Sequence, residues 1–237
     1  KEGTVILAIA GKRLTESFTP QMALVNHAGE EVELMLDDGR MVTVKTLKSD
    51  KPLQYREWVE RNRELVHKAS GGKAGYIHVP DTSAEGYAEF HRGFLEEYDR
   101  EGLIVDFRFN RGGDIPSLFL EKLMQKRLGY MHTKWTKPIA NPVESPRGHM
   151  VAVTNEYAGS GGDYISYAFR RLGLGKLIGK RTWGGVVGIS PKFALVDGTV
   201  VTQPELGLWF DDIGYGIENH GVEPDIEVEM GPDEEKD

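Results

Sequence analysis

Up to about residue 50, hydrophobic positions come as short runs and alternations. Thr4–Ile9 is an apolar run of strand length, followed by the turn Ala10-Gly11-Lys12-Arg13, and Gln21–His27 predicts a short helix. Val32, Leu34 and Leu36 alternate with charged residues, and Val42, Val44 and Thr46 alternate with their own neighbours across Asp37-Asp38-Gly39-Arg40. Period-two alternation on both sides of an Asp-Gly turn predicts a β-hairpin. With no strand before Val5 to complete a sheet, this stretch is expected to be the back half of a domain. From Leu53 to Ser70, Trp58, Val59, Leu65 and Val66 are interleaved with charge, and Gly71-Gly72 stops the pattern, which predicts a connecting helix.

From Ala74 onward strand-like runs alternate with helical ones. Strands are expected at Gly75–Val79, Leu103–Arg108 and His149–Thr154, with further ones near Lys176–Gly179, Phe193–Val196 and Thr199–Thr202. Helices are expected over Ser83–Glu101, Ser117–Leu128 and Gly162–Leu172. Alternating β and α units predict an α/β domain with a largely parallel sheet and right-handed crossovers. The acidic tail Asp233–Asp237 is expected to be solvated.

Composition narrows the chemistry. The 237 residues carry 29 Lys+Arg against 37 Asp+Glu, a net charge of −8, which argues against coating a nucleic acid. Zero cysteines exclude thiol catalysis, disulfides and thiolate metal sites. The seven histidines show no metal-protease spacing, so neither a metal nor another cofactor is expected. No apolar run is long enough for a bilayer and Lys1-Glu2-Gly3 opens no signal peptide, so the expected setting is cytoplasmic, without membrane association.

Two strand-to-helix junctions carry candidate chemistry: Asn110-Arg111-Gly112-Gly113-Asp114, and Asn155-Glu156-Tyr157-Ala158-Gly159-Ser160-Gly161-Gly162-Asp163. Ligands of open α/β sheets bind at the carboxyl ends of strands, where glycines let backbone N–H groups point into the site. A serine there, beside an amide-rich loop from the neighbouring strand, suits acyl transfer: the hydroxyl attacks and two amides hold the oxyanion. The competing reading is a pair of glycine turns with Ser160 as an N-cap. Formal motifs fail: Ile178 stands where a dinucleotide fingerprint needs its third glycine, Arg181 follows Gly179-Lys180, and Ala158 opens what would be a hydrolase elbow. Trp183–Gly188 reads either as a substrate-facing loop or as glycine bulges. Glu218 and His220 lie close together, though each has an ordinary structural reading.

With these segments in view, the sequence resembles the tricorn protease family, serine peptidases related to tail-specific, C-terminal-processing proteases. The resemblance runs through the whole chain and is most specific at Asp106–Gly113, Thr154–Asp163, Gly179–Ile189 and Gly216–Asp225. It implies a partial PDZ-like module over 1–50, a connector helix over 51–72 and a crotonase/ClpP-like α/β catalytic domain over 73–237. It also implies Ser160 as nucleophile, the amides of Gly113 and Gly161 as oxyanion hole, and Glu218 as the carboxylate of the charge relay. Arg111, Gly112 and Gly113 fall in the substrate-binding loop. Gly161 stands where the family carries aspartate, and an amide donor needs no particular side chain. Met131 replaces the acidic residue that gives the family its preference for basic side chains, which predicts apolar ones here. The general-base histidine falls upstream of Lys1, so no histidine of this chain takes that role. The implied substrates are unfolded peptides or oligopeptides, and the implied assembly is a homo-oligomer, a hexamer. Three rivals are weighed. A Ser/Lys dyad needs a lysine where Gly185 stands, a peptide-binding scaffold needs no Ser160, and a hydratase of the same fold gives Ser160 and Glu218 no reason to converge.

Overall fold

The alternations of the first fifty residues become a four-stranded antiparallel sheet in the computed structural model, which describes residues 3–229 and residue 231. The expected tail, Asp233–Asp237, and the terminal Lys1-Glu2 lie outside the described residues. The sheet contains β1 (Ile6–Ile9), β2 (Lys12–Arg13), β3 (Glu31–Leu36) and β4 (Met41–Lys45) in the order β2-β1-β3-β4. Val32 faces Val44 and Leu34 faces Val42 across the Asp-Gly turn, the register that the alternation predicts. Between β2 and β3, α1 (Pro20–Ala23) is a single turn capped by Thr19, shorter than expected. Ile9, Ala23 and Val32 form a small core under this sheet.

The long helix α2 (Lys51–Ser70) ends at Gly71 and Gly72, both at positive φ, a conformation glycine adopts without a Cβ clash. None of its residues is fully buried. The chain divides into two compact units whose boundary falls inside this helix, between Trp58 and Val59. Its later turns are tied within the second unit by ion pairs of Arg63 with Glu60 and Glu96 and by His67 Nε2 to the buried Glu97 at 3.0 Å.

The second unit is built on a five-stranded parallel sheet. Its elements are β5 (Ala74–His78), α3 (Ala84–Glu97), β6 (Gly102–Asp106), α4 (Pro116–Leu123), β7 (Gly129–Met131), β8 (Ile139–Asn141), β9 (His149–Thr154), α5 (Gly161–Arg171), β10 (Gly175–Gly179), β11 (Gly188–Ala194), β12 (Val200–Leu206) and β13 (Ile226–Glu227). The strand order is β13-β10-β9-β6-β5, all neighbours parallel. Helix α3 packs on β5 and α5 on β9 and β10, while α4 touches both helices. Phe90, Phe94, Phe107, Phe119 and Phe169 are fully buried between these layers, each worth about 1.5–3 kcal/mol in apolar burial.

Two expectations in this unit need correction. Helix α4 stops at Leu123 instead of Leu128, because the Leu128 amide already donates to Asn141 O at 2.8 Å and leads the chain into the β7–β8 hairpin. The strands expected near 193–202 do not extend the parallel sheet: β11 and β12 pair with each other, antiparallel, in a separate ribbon. Pro191 and Pro204 lie in these strands and lack the N–H that a central strand must donate. The edge strand β13 had no signal of its own. Parallel order sends the loops after β5, β6, β9 and β10 to one end of the sheet, where both glycine-rich junctions lie.

Candidate active site

Two asparagines anchor the glycine loops to the strand ends. Asn110, fully buried, donates from Nδ2 to Val79 O at 2.8 Å and accepts from the Gly112 amide at 2.9 Å, which curls Arg111-Gly112 back on itself. Asn155 accepts from the amides of Phe109 (3.0 Å) and Tyr157 (3.2 Å), so one side chain fixes both loops. The Gly159 amide closes the pair by donating to Asn110 O at 3.0 Å. The sequence reading gives Asn110 and Asn155 no role beyond membership of their loops. The available signal was an asparagine opening a glycine-rich turn at the end of each strand.

Ser160 sits at the N-cap position of α5, but the N-cap reading fails. Its side chain makes no capping bond, its backbone is held at φ +56°, ψ −114°, and it is exposed. A non-glycine residue at such angles costs on the order of 1–3 kcal/mol, and strain of this kind collects at functional sites. The hydroxyl is thus left without a partner among the described residues, on a tight strand-to-helix turn that pushes it outward.

Glycine is required around it. A Cβ on Gly112 would stand 2.7 Å from Ser160 Cβ, and one on Gly113, whose φ is +139°, would stand 2.4 Å from the carbonyl carbon of Thr82. A Cβ on Gly161 would stand 3.0 Å from the Gly113 nitrogen, so the two residues lie against each other beside Ser160. Neither the Gly113 nor the Gly161 amide has an acceptor among the described residues. Gly161 opens α5, where first-turn N–H groups lack intrahelical partners and the dipole favours negative charge. Arg111 donates its amide to Pro80 O at 3.0 Å while its exposed side chain has no carboxylate partner among the described residues.

The loop after β10 joins this centre to Glu218. Buried Asp163 accepts from the Thr182 hydroxyl and from the amides of Gly184 (2.8 Å) and Gly185 (3.3 Å). Burial pushes its carboxyl above the usual 3.8, and these donors oppose the rise. The Trp183 amide donates to Ala158 O at 2.9 Å and its ring packs over Gly159, yet the residue remains 67% exposed. A side chain at Gly185 would meet that ring at 2.3 Å, so a lysine there would have to displace the Trp183 indole. Glu218 Oε2 accepts from Val186 and Val187 amides at 2.8 and 2.9 Å, which holds the carboxylate on the far side of the same loop.

Other sequence-picked residues fall elsewhere. Glu218 and His220 lie in consecutive turns, and His220 Nε2 points to Glu223 at 3.6 Å. His78 is buried with Nε2 at 2.8 Å from Arg108 O, and burial lowers its pKa. Met131 is half exposed on the β7–β8 hairpin, paired opposite Ile139. A cavity of about 810 Å³ lies at the other end of α5, lined by Arg170, Arg171, Asp212 and Glu223 among others, away from Ser160. Among the described residues no cluster of histidines and carboxylates is placed to hold a metal, and no helix is long and apolar enough to cross a membrane.

The chain is 52% identical over 213 residues to the tricorn protease homolog of Saccharolobus solfataricus, covering 89% of this chain and 20% of that protein. It is 48% identical over 234 residues to the tricorn protease of Thermoplasma acidophilum, covering 97% and 22% respectively. The crystal structure of the tricorn protease aligns with a TM-score of 0.91 at 47% identity, over 97% of this chain and 23% of that one. The chain therefore spans about a fifth of the length of these relatives. Residues 73–228, which carry every loop described above, match the description of peptidase family S41, and the chain belongs to that family.

Proposed function

We propose that this chain carries the catalytic centre of a serine endopeptidase that cuts unfolded peptides and oligopeptides. The Ser160 hydroxyl attacks the scissile carbonyl, a histidine takes its proton, and the carbonyl π pair becomes an oxyanion held by the Gly113 and Gly161 amides. Collapse expels the amine, which leaves with that proton, and water then hydrolyses the acyl-serine. Glu218 orients the histidine and balances its charge. In this reading, which follows the family resemblance, the histidine comes from the segment that precedes Lys1 in the family. Arg111 and Gly112 bind the peptide beside the amides, the exposed Trp183 indole borders the same cleft, and Met131 lines the pocket for the side chain before the cut.

In the finer architecture of this reading, residues 1–50 form a partial PDZ-like module, 51–72 a connector helix and 73–237 a crotonase/ClpP-like catalytic domain. The whole protein is a cytoplasmic homo-oligomer, a hexamer. The observation that carries the activity is Ser160: strained, uncapped and exposed, next to two amides without an acceptor among the described residues. A peptide-binding scaffold has no use for that arrangement.

The test is peptide hydrolysis by this chain alone and by a polypeptide extended with the family's preceding segment. The extended form is expected to turn over peptides, faster with apolar than with Lys or Arg side chains before the cut, because Met131 offers no charge to balance a desolvated cation. The chain alone is expected to bind but cleave very slowly, and Ser160→Ala to abolish turnover in both. Unchanged turnover in Ser160→Ala would overturn the reading.

A further inference from the structure

Thr82, in the loop after β5, touches both halves of the amide pair. Its own amide donates to Gly112 O at 2.7 Å and its carbonyl accepts from Ile115 N at 3.0 Å, so its backbone grips the Gly113 loop on both sides. A Cβ on Gly113 would stand 2.4 Å from its carbonyl carbon. The Thr82 side chain faces the second amide's residue: a Cβ on Gly161 would stand 2.0 Å from Oγ1. That oxygen is buried and has no hydrogen-bond partner among the described residues. An orphaned buried hydroxyl is destabilising, and native structures hold few of them. Stability gives no reason to keep a hydroxyl here.

Close approach does give one. A hydroxyl oxygen rests against a Cα–H at a carbon–oxygen distance of about 3.3–3.6 Å, whereas a methyl carbon in the same place needs about 4 Å. We propose that Thr82 is a positioning residue of the catalytic centre, and that its hydroxyl sets how closely the Gly161 amide stands to the Gly113 amide. Oxyanion donors act within a narrow range, about 2.7–3.1 Å from the developing charge. Moving one by a few tenths of an ångström weakens its hold on the oxyanion and leaves peptide contacts elsewhere untouched. The inference rests on reading Gly113 and Gly161 as the oxyanion donors.

A peptidyl aldehyde tests it without needing the general base. Ser160 Oγ bonds to the aldehyde carbon, the π pair moves to the carbonyl oxygen in the hole, and the hydroxyl proton passes to water. The corresponding peptidyl alcohol makes the ordinary contacts and no oxyanion. Affinities for both are measured for the wild-type chain, Thr82→Val, Thr82→Ser and Ser160→Ala. Thr82→Val is expected to lose about ten- to a hundredfold in aldehyde affinity and less than about twofold in alcohol affinity. Thr82→Ser, which keeps the oxygen, is expected to stay within about threefold of wild type. Should Thr82→Val not fold, Thr82→Ala, which removes the oxygen that sets the approach of Gly161, is expected to show the same selective loss to a smaller degree. Wild-type aldehyde affinity in the valine or alanine variant, or equal loss of aldehyde and alcohol, would overturn the role of Thr82. If wild type binds the aldehyde no better than Ser160→Ala does, the reading of Ser160 fails, and the role of Thr82 fails with it.

Discussion

Ser160 bears a backbone cost with no structural return. An ordinary N-cap serine repays its place with a side-chain bond to the first helical turn, and replacing it by alanine costs about 1 kcal/mol. Ser160 makes no such bond, and its φ of +56° is one that glycine adopts freely. Denaturant unfolding therefore separates the two readings. Ser160→Ala is expected to stay within about 0.5 kcal/mol of wild type, and Ser160→Gly to be more stable by about 1 kcal/mol through relief of the strain. A loss of 1 kcal/mol or more in Ser160→Ala would restore the capping role. Asn110, Asn155 and Asp163 are the opposite kind of residue, buried polar groups that are bonded to the loops and hold them in place.

At the scale of elements, the ends of β5 and β6 are held together by a polar cluster beneath the Gly112-Gly113 loop. The Tyr76 hydroxyl donates to Asp106 at 2.7 Å, the Arg108 guanidinium reaches the same carboxylate at 2.6 Å, and His78 sits at 2.8 Å from Arg108 O. Burial is the first cause of the lowered His78 pKa. The Arg108 charge acts in the same direction, and Asp106, Asp81 and the Arg108 carbonyl oppose it. In the unfolded chain this histidine titrates near 6.5, so below that pH the unfolded state binds a proton that the folded state resists. The His78 contribution is complete above pH 6.5 and is lost as pH falls below it, at no more than about 1.4 kcal/mol per pH unit. His78→Gln keeps a donor toward Arg108 O and does not titrate. Unfolding free energies of both proteins at about pH 7.5 and 5.5 are expected to show a smaller pH dependence in the variant. Equal pH dependence would mean that His78 charges freely in the folded state.

Legibility across the whole molecule follows how local each signal is. The strands Ala74–His78, Gly102–Asp106 and His149–Thr154 announced themselves as apolar runs between helical patterns, and the glycines after the second and third marked the site. The β11–β12 ribbon was legible as strands but not as a separate pair, and the signal that could have set it apart, Pro191 and Pro204, had no part in that reading. Thr82, Asp163 and Thr182 were silent because their importance comes from which residues they meet, 19 to 79 positions away in sequence. The roles of Ser160, Gly113, Gly161 and Glu218 came from resemblance. From local pattern alone, a glycine turn with a capping serine was the favoured reading, and it is the backbone angles and missing cap bond of Ser160 that speak against it.

The central claim is that Ser160 is a nucleophile served by the Gly113 and Gly161 amides. The most direct measurement is intact-mass and peptide-map analysis after treatment with a fluorophosphonate, in which the serine oxygen displaces fluoride from phosphorus. A single adduct is expected, on Ser160, absent in Ser160→Ala, slow in this chain and faster when the family's preceding segment is restored. No adduct in either form, or the same adduct yield in Ser160→Ala, would contradict the claim.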